Sequence, residues 1–560
     1  MPDVDPGRAQ PATLVALVLF TLISLGLGVV ANMVASRRAG FLQKYFLGNR
    51  SLGAFAVALT AAVMSGGTFM GFPALIYTHG WVVGLWIASY MIAPLTVLGV
   101  LGKRIGQLSR RTGAITLPDL FRERFGSPTL GLLTSLLVMF FLTCNLVPQF
   151  KAGAVILKTV LPSETVNMFV TEDTPATADI GYFLGLAIFS ITVIAYTAYG
   201  GFLAAVWTDV FQSLVMAVGV MILLPLALWQ VGGMEQATTK GMELAGNGFA
   251  FGPGAGRDFH TIGLAFSFFV MWAITGMGQP STMVRLMSFK DSRTLRTSII
   301  YLVFYNIVIY VPLVLIFVAA RSILPDLAKP DEVMPRMVIK LANPYIAGLI
   351  MAAPYGAVMS TVSGFLLIVA SGLVRDVYQR FLRPAATERE VERASYIATV
   401  GVGILAAVVA INPPQYLQMI VVFSSSGMAA AFLMPAMLGA FWRRANAAGA
   451  IAAMSVGAAV TMGLYVAGFV LKYKYGVDPT IGPQPTGLFV AYYLLGLDPC
   501  VWGLGASLAA GVIVSLLTAP LDEERVSLLF DVQPPNAPAP ATLDLRHAAE
   551  GHAHGASPAV

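Results

Sequence analysis

Apolar runs of about twenty or more residues recur along almost the whole chain, separated by short stretches that hold most of the charged residues. A run of that length is what an α-helix needs to cross roughly 30 Å of hydrocarbon. The pattern predicts an all-α integral membrane protein with about thirteen transmembrane helices. The predicted spans lie near residues 12–35, 52–78, 81–103, 129–160, 180–199, 202–231, 260–287, 297–320, 345–373, 393–411, 416–442, 446–472 and 498–518.

Lysine and arginine are distributed unevenly between alternate loops. Cytoplasmic loops of membrane proteins carry the excess of basic residues. With the N-terminus outside, the loops and tail on the cytoplasmic side hold 23 of the 34 lysines and arginines. The sequence therefore predicts an outside N-terminus and a cytoplasmic C-terminus.

Composition agrees with a membrane location, because 57% of the residues are hydrophobic and only 11% are charged, against about a quarter charged in soluble domains. The net charge of +6 is explained by the basic loops, so we expect no nucleic-acid partner. The N-terminus lacks the basic start and cleavage site of a signal peptide. Neither of the two cysteines lies in a disulfide or redox motif.

Three regions are predicted: an extracytoplasmic tail at 1–11, a membrane transporter domain at 12–518 and a cytoplasmic tail at 519–560. The C-terminal tail is rich in proline, alanine and polar residues, and we expect it to be mostly disordered. His547, His552 and His554 lie in it. They leave metal binding as an alternative to a simply solvated tail.

Two spans contain residues that interrupt a helix halfway across the membrane. Span 2 contains AAVMSGGTFMGFP with the adjacent pair Gly66 and Gly67, and span 7 contains AITGMGQPSTMVR with Gly276, Gly278 and Pro280. Glycine weakens a helix and proline removes a backbone donor. Because broken backbone at membrane depth must line a cavity or be buried in protein, both stretches predict a central pocket.

The two interrupted spans lie five apart, so the second runs through the bilayer in the opposite direction to the first. Spans 2 to 6 and 7 to 11, at about 52–231 and 260–442, therefore form a candidate inverted repeat, which is typical of secondary transporters. An alternative for span 2 is that Gly67 and Gly71 serve only as a GxxxG packing face.

Span 9 carries a group of oxygen atoms suited to a small monovalent cation. Ala357, Ser360 and Thr361 stand at i, i+3 and i+4 and share one helix face. The carbonyls of Ala61 and Met64, just before the glycine pair, would complete a neutral set of oxygen ligands. The alternative is that both hydroxyls bond back to carbonyls one turn earlier. No cluster of residues suited to catalysis lies inside the spans, so we predict that the protein is not an enzyme.

Three long stretches carry a family resemblance: YGGFLAAVWTDVFQ at 199–212, GQPSTMVRLMSFKDS at 278–292 and AAPYGAVMSTVSGFLLIVASGLVRDVY at 352–378. Through them the chain resembles the sodium:solute symporter family over most of residues 40–470. The resemblance implies a five-plus-five inverted-repeat (LeuT-like) transporter core with flanking helices. Within the family the chain looks most like the sodium/pantothenate symporters, through FLQKYFLGNRS at 41–51, MSFKDS at 287–292, NPPQ at 412–415 and RANAAGA at 444–450.

The resemblance implies roles for particular residues. The sodium ligands of the family fall on the carbonyls of Ala61, Met64 and Ala357 and the hydroxyls of Ser360 and Thr361. The aspartate of the family's TD pair matches Asp209, which is implied to help sodium leave inward; the alternative is an exposed residue at a helix end.

The substrate is predicted less directly. Proline-transporting members carry an aspartate where this chain has Val63, and the acidic residue of sugar transporters is not evident around Met91 in GLWIASYMIAP. We therefore expect sodium-coupled uptake of pantothenate or a similar carboxylate. Alternatives are another monocarboxylate, an amino acid or a transporter-like sensor. The substrate-binding candidates are Ser65, Gly66, Thr68, Asn145, Gly276 and Gln279, although Asn145 could instead cross-link helices.

These expectations place the protein in a bacterial inner membrane as a multi-pass symporter. Its predicted partners are sodium, a small organic solute and the lipid bilayer. We expect it to function as a monomer.

Overall fold

The computed structural model describes residues 11–35, 53–62, 64–170, 179–252, 261–412, 417–477 and 489–531. All regular secondary structure in these ranges is helical. The α-helices are α1 Pro11–Ala35, α2 Ala54–Ala61, α3 Phe72–His79, α4 Val82–Ala88, α5 Lys103–Thr112, α6 Leu117–Phe125, α7 Pro128–Val160, α8 Ser163–Asn167, α9 Ile180–Val231, α10 Met234–Ala245, α11 Ile262–Ile274, α12 Pro280–Ser288, α13 Ser292–Ile323, α14 Val333–Leu341, α15 Pro344–Ser371, α16 Glu388–Val409, α17 Leu417–Phe441, α18 Ala447–Tyr475, α19 Pro499–Leu517 and α20 Glu523–Phe530.

Short helical segments of other pitch connect or extend these helices. Tighter 3₁₀ turns lie at Ser89–Met91, Asn247–Ala250, Thr275–Gly278, Pro330–Glu332 and Leu494–Gly496. Wider π-helical segments lie at Gly67–Gly71, Pro94–Gly102 and Gly372–Leu382. Such segments frequently mark functional sites in helical proteins.

The described residues contain eleven helical segments long and apolar enough to cross a membrane. A twelfth span is formed by Ile262–Gly278 and Pro280–Ser288, which bend by 48° at their junction. Predicted span 2 consists of α2, a π-helical segment and α3, none of which reaches spanning length alone. The expected count of thirteen is therefore not confirmed, whereas the multi-pass all-helical architecture is.

Helix starts follow the polar residues between the apolar runs. The side chains of Ser127, Asn343 and Asn446 accept backbone N–H groups in the first turns of α7, α15 and α18. Thr387 and Glu390 form a reciprocal capping box at the start of α16. Caps of this kind satisfy donors that have no partner inside the helix.

The helices differ greatly in how far they are enclosed. In α17 94% of the most apolar window is buried, against 28% for α1. Helix α17 packs against α7, α18 and α19, and α15 packs against α7 and α9. Helices α7, α15 and α17 therefore form the centre of the bundle, and α1 lies at its edge against α9 and α15.

The start of the C-terminal tail forms a short helix, α20, which the sequence analysis did not predict. Helix α20 places Val526, Leu529 and Phe530 on one face, and the first two are buried. The guanidinium groups of Arg104 and Arg124 lie 5.9 and 5.0 Å from the centre of the Phe530 ring. Apolar residues at i, i+3 and i+4 give this short segment a face to bury. The tail histidines lie outside the described residues.

Candidate functional site

Span 2 is interrupted, as expected, but the interruption begins before the glycine pair. Helix α2 ends at Ala61, and Met64 and Ser65 are non-helical. The Ser65 hydroxyl accepts the N–H of Gly67 at 3.2 Å, and the Thr68 hydroxyl accepts the N–H of Ser65 at 3.4 Å. These two side chains satisfy backbone donors that the interruption leaves without helical partners.

Gly66 allows a close approach between span 2 and α7. A Cβ at Gly66 would lie 2.8 Å from Ala152 Cβ and 2.9 Å from Gln149 Oε1. The N–H of Gly66 donates to Gln149 Oε1 at 2.8 Å. Gly67 likewise faces the side chain of Gln418, which an added Cβ would approach to 2.9 Å. The glycines therefore serve helix packing as well as the interruption.

Span 7 is interrupted at the expected place. Helix α11 ends at Ile274, a 3₁₀ turn follows, and Gln279 has extended backbone angles of φ −78° and ψ 121°. Pro280 then occupies the first turn of α12, where a missing N–H costs no hydrogen bond. An added Cβ at Gly278 would lie 2.9 Å from the Cα of Ala429 in α17. The interruption therefore packs directly on the most enclosed helix.

Both interruptions line one central cavity, which encloses about 840 Å³ of empty space including its open mouth. Five of the six substrate candidates line it: Ser65, Thr68, Asn145, Gly276 and Gln279. The sixth, Gly66, is held beside the cavity by its bond to Gln149.

The cavity is lined by both polar and aromatic side chains. Among the described residues, no aspartate, glutamate, lysine, arginine or histidine lines it. Tyr90 stacks on Trp272 with ring centres 5.0 Å apart, and both line the cavity. Amides of Asn145, Gln279, Asn306 and Gln418 also line it. The site suits a solute with both polar and apolar parts.

Four of the five predicted cation ligands are brought together by hydrogen bonds. The Thr361 hydroxyl donates to the carbonyl of Met64 at 2.8 Å and contacts the carbonyl of Ala357 at 3.0 Å. The Ser360 hydroxyl lies 3.1 Å from the same Ala357 carbonyl. Both hydroxyls therefore bond to a carbonyl of their own helix, and the four predicted ligands also lie close together. Ala61 is the last residue of α2, and Val63 lies outside the described residues.

Asp209 lies beside this oxygen cluster and is not an exposed residue at a helix end. It is 5% exposed and lines a small cavity with Met64, Ser360 and Thr361. Its Oδ2 lies 3.5 Å from Arg285 Nη2. Asp209 Oδ1 has no hydrogen-bond partner among the described residues. The small cavity therefore brings an ion pair, Asp209 and Arg285, next to the neutral oxygens of Met64, Ser360 and Thr361.

Comparison with known proteins identifies the family of the chain. The model of the sodium:solute symporter family matches residues 45–457. The chain belongs to the sodium:solute symporter family.

Relatives in this family agree with the expected subfamily. The chain is 33% identical over 450 residues to the sodium/pantothenate symporter of Haemophilus influenzae, covering 79% of this chain and 88% of that protein. It is also 33% identical over 456 residues to the sodium/pantothenate symporter of Escherichia coli, covering 80% and 89%. Identity to the sodium/proline symporter of Haemophilus influenzae is 30% over 464 residues, covering 79% and 86%. The expected likeness to sodium/pantothenate symporters is confirmed.

A solved structure confirms the fold class. The structure of a Na⁺-coupled sialic acid symporter in a substrate-bound outward-open state matches with a TM-score of 0.65 at 20% identity. The match covers 91% of this chain and 99% of that chain. At that identity the likeness concerns the fold alone.

In this family member three cavities follow one another from the centre toward one end of the bundle. The central cavity shares Phe365 with the small cavity at the oxygen cluster. The small cavity shares Asp209, Arg285 and Gly364 with a third cavity, which reaches Asp376. Adjacent cavities therefore share wall residues.

Ion pairs surround the far end of the third cavity. Asp376 is 2% exposed and lies 3.6 Å from Arg380. Arg380 also pairs with Asp119 of α6, and Arg375 lies 3.9 Å from Asp119. We call Asp119, Arg375, Asp376 and Arg380 the inner cluster. It ties the π-helical extension of α15 to α6.

The opposite end of the bundle is joined by a different set of contacts. Lys151 Nζ of α7 lies 2.7 Å from Asp331 Oδ2, which also accepts the N–H of Leu417 at 3.4 Å. The Tyr77 hydroxyl donates to the Leu324 carbonyl at 2.5 Å. The segment between α13 and α15 is therefore tied to α3, α7 and α17.

Sequence reasoning missed several site residues. Gln418 lines the cavity, is 2% exposed, and neither amide atom has a hydrogen-bond partner among the described residues. A buried amide without a partner facing a cavity indicates a ligand site. In the sequence Gln418 stands at the start of an apolar run, next to a polar stretch, whereas Asn145 stands within a run. Arg285 and Tyr90 could not be identified from the sequence. Arg285 resembles a basic residue at the end of a span, and Tyr90 resembles an aromatic residue on a packing face.

Proposed function

We propose that this protein is a sodium-coupled symporter that takes up pantothenate across a bacterial inner membrane. The observation that carries the proposal is the common wall at Phe365 between a neutral central cavity and a cluster of neutral oxygens. The interruption of span 2 contributes residues to both. The sodium/pantothenate relatives support the choice of solute.

Sodium is proposed to bind the carbonyls of Ala61, Met64 and Ala357 and the hydroxyls of Ser360 and Thr361. In the described structure the Thr361 hydroxyl already bridges α15 and the interruption of span 2. A cation there would replace these hydroxyl-to-carbonyl contacts and hold Met64 in place. Neutral ligands suit a monovalent ion, whose charge needs no carboxylate to balance it.

Pantothenate is proposed to bind in the central cavity. It carries a carboxylate, hydroxyls, an amide and a pair of methyl groups. The amides of Asn145, Gln279 and Gln418 suit the polar groups, and Tyr90 and Trp272 suit the methyl groups. Helix α12 begins at the cavity, so its N-terminus would favour the carboxylate. Ser65, Thr68 and Gly276 complete the proposed contacts.

Release is proposed to follow the row of cavities. With the N-terminus outside, the inner cluster lies at the cytoplasmic end, and sodium passes Asp209 on its way there. Because one chain supplies the whole cavity and oxygen cluster, we propose that it works as a monomer. We also propose that it is a transporter and not an enzyme, because its relatives are sodium symporters.

The deciding experiment measures uptake of labelled pantothenate into proteoliposomes with and without an inward sodium gradient. We expect uptake to depend on the gradient, and unlabelled pantothenate to compete better than proline. Equal uptake rates with and without the gradient would refute sodium coupling. Better competition by proline would reassign the solute, as the proline-transporting relatives allow.

A further inference from the structure

Gln149 lies between the proposed sodium and solute sites. It is fully buried in α7, one helical turn after Asn145. Its Oε1 accepts the N–H of Gly66 at 2.8 Å, and its Nε2 lies 3.4 Å from Asn145 Oδ1. One amide therefore joins the interruption of span 2 to a residue that lines the solute cavity.

The same short segment is held from the other side by the cation region. The Met64 carbonyl accepts the Thr361 hydroxyl of α15 at 2.8 Å, only two residues before Gly66. A Cβ at Gly66 would lie 3.4 Å from Val358 of α15 as well as against α7. Residues 64–66 therefore lie between two helices with no room to move independently of either, because side chains at such close contact shift together.

The hydrogen-bond pattern fixes how Asn145 faces the cavity. Gln149 must present its oxygen to Gly66, because a backbone N–H only donates. The Gln149 nitrogen then faces Asn145 and takes its oxygen as acceptor. The Asn145 nitrogen is left for the cavity, where it can donate to a carboxylate or carbonyl oxygen of the solute.

We infer that Gln149 is the positioning residue that couples sodium binding to solute affinity, an inference that rests on the proposed function. Sodium at Met64 and Thr361 fixes the position of Gly66. The Gly66 N–H fixes the Gln149 amide, and that amide holds the Asn145 nitrogen toward the solute. The effect is reciprocal, since a bound solute then favours the arrangement that binds sodium.

The test compares how strongly sodium raises solute affinity in wild type and in Gln149→Met, which keeps the length of the side chain and removes the amide. Half-saturation of pantothenate is measured at low and high sodium in proteoliposomes. Sodium binding without solute is measured separately. We expect the sodium effect on pantothenate half-saturation to fall at least fivefold, and sodium binding alone to change less than twofold. Unaltered sodium dependence in Gln149→Met would overturn the inference.

Two further variants distinguish this role from a general loss of stability. Gln212→Met removes another buried amide, on α9, whose two polar atoms have no hydrogen-bond partner among the described residues, and it should leave the sodium effect unchanged. Combining Gln149→Met with Asn145→Ala should weaken solute binding no more than Asn145→Ala does alone. Additive losses, or the same loss in Gln212→Met, would contradict the inference.

If Gln149→Met does not insert, Gln149→Asn replaces it. The shorter amide keeps the chemistry but withdraws it from Gly66, and the same loss of sodium effect is expected; unchanged coupling would refute the inference. A wild-type protein with no sodium dependence would refute the proposed function instead, so the two failures are distinguishable.

Discussion

At the residue scale, the two hydroxyls of α15 offer the most direct prediction. Thr361→Ala removes a proposed sodium ligand and the bridge to Met64, and a hydrogen bond to a charged group contributes about 1.5–3 kcal/mol. We expect the sodium concentration for half-maximal uptake to rise roughly tenfold or more, since about 1.4 kcal/mol is tenfold. Sodium titration of pantothenate uptake measures this.

The matched control is Thr361→Ser, which keeps the hydroxyl and should stay near wild type. Membrane insertion of both variants is checked by the amount of folded protein recovered. A normal sodium titration in Thr361→Ala would remove Thr361 from the ligand set.

Gln418 gives a second prediction at this scale. Gln418→Leu removes the unpartnered amide from the cavity wall, and it should raise pantothenate half-saturation about tenfold if that amide pairs with the solute. Sodium binding without solute should not change, because Gln418 does not line the small cavity. Unchanged solute half-saturation would show that the amide faces no bound solute.

Individual site residues differ in how far the sequence could predict them. Asn145, Thr68 and Gln279 are polar residues within apolar runs, and such residues are costly unless they face a cavity or a partner. Gln418 follows a polar stretch and reads as a loop residue. Its burial depends on the packing of α17 against the glycines of span 2, which no local pattern contains.

At the element scale, Gly66 tests whether close packing or flexibility explains the interruption. Gly66→Ala would place a Cβ within 3 Å of Ala152 and Gln149, so α7 or span 2 must shift. We expect a loss of transport, because overpacking costs about 1–3 kcal/mol. Uptake per folded protein measures it.

Gly463→Ala is the control for this change. Gly463 lies in α18, and an added Cβ there meets nothing within 4 Å, so normal transport and equal or slightly higher stability are expected. Normal transport in Gly66→Ala would show that the contact between Gly66 and α7 is not needed.

The spans themselves could be predicted because bilayer thickness sets their length, whatever their neighbours are. The start of the interruption could not be placed to the residue. The backbone of residues 64–67 is held by four side chains: Thr361 donates to the Met64 carbonyl, and Thr68, Gln149 and Ser65 accept the N–H groups of Ser65, Gly66 and Gly67. Two of these four side chains, Thr361 and Gln149, lie on other helices and outside the AAVMSGGTFMGFP stretch.

At the scale of the whole molecule, the inverted pairing of spans was predictable from their order, whereas the route between sites was not. The row of three cavities depends on side chains from α6, α9, α12 and α15 that are far apart in the sequence. The short helix α20 was missed for a related reason. Its few apolar residues are informative only once Arg104, Arg124 and Arg443 are known to surround Phe530.

The inner cluster makes a prediction about the balance between conformations. Arg380 pairs with Asp119 and Asp376 where the third cavity ends. Arg380→Ala therefore removes an ion-pair partner from two buried carboxylates. Removing one partner of a buried ion pair is strongly destabilising, and here it destabilises the conformation in which the third cavity is closed at this end. The equilibrium constant for opening should therefore rise, by about tenfold for each 1.4 kcal/mol.

Labelling of a cysteine at Ser371, which lines the third cavity, reports on this opening in a background without the native cysteines. In sodium-free buffer, Arg380→Ala should increase the labelling rate by roughly tenfold or more. Arg383→Ala is the matched control, because Arg383 is largely exposed and pairs with Glu390 at the surface, where an ion pair contributes little. If the two arginine variants label at the same rate, the inner cluster does not control access from this end. If only Arg380→Ala labels faster, the inner cluster holds the proposed exit route closed when sodium is absent.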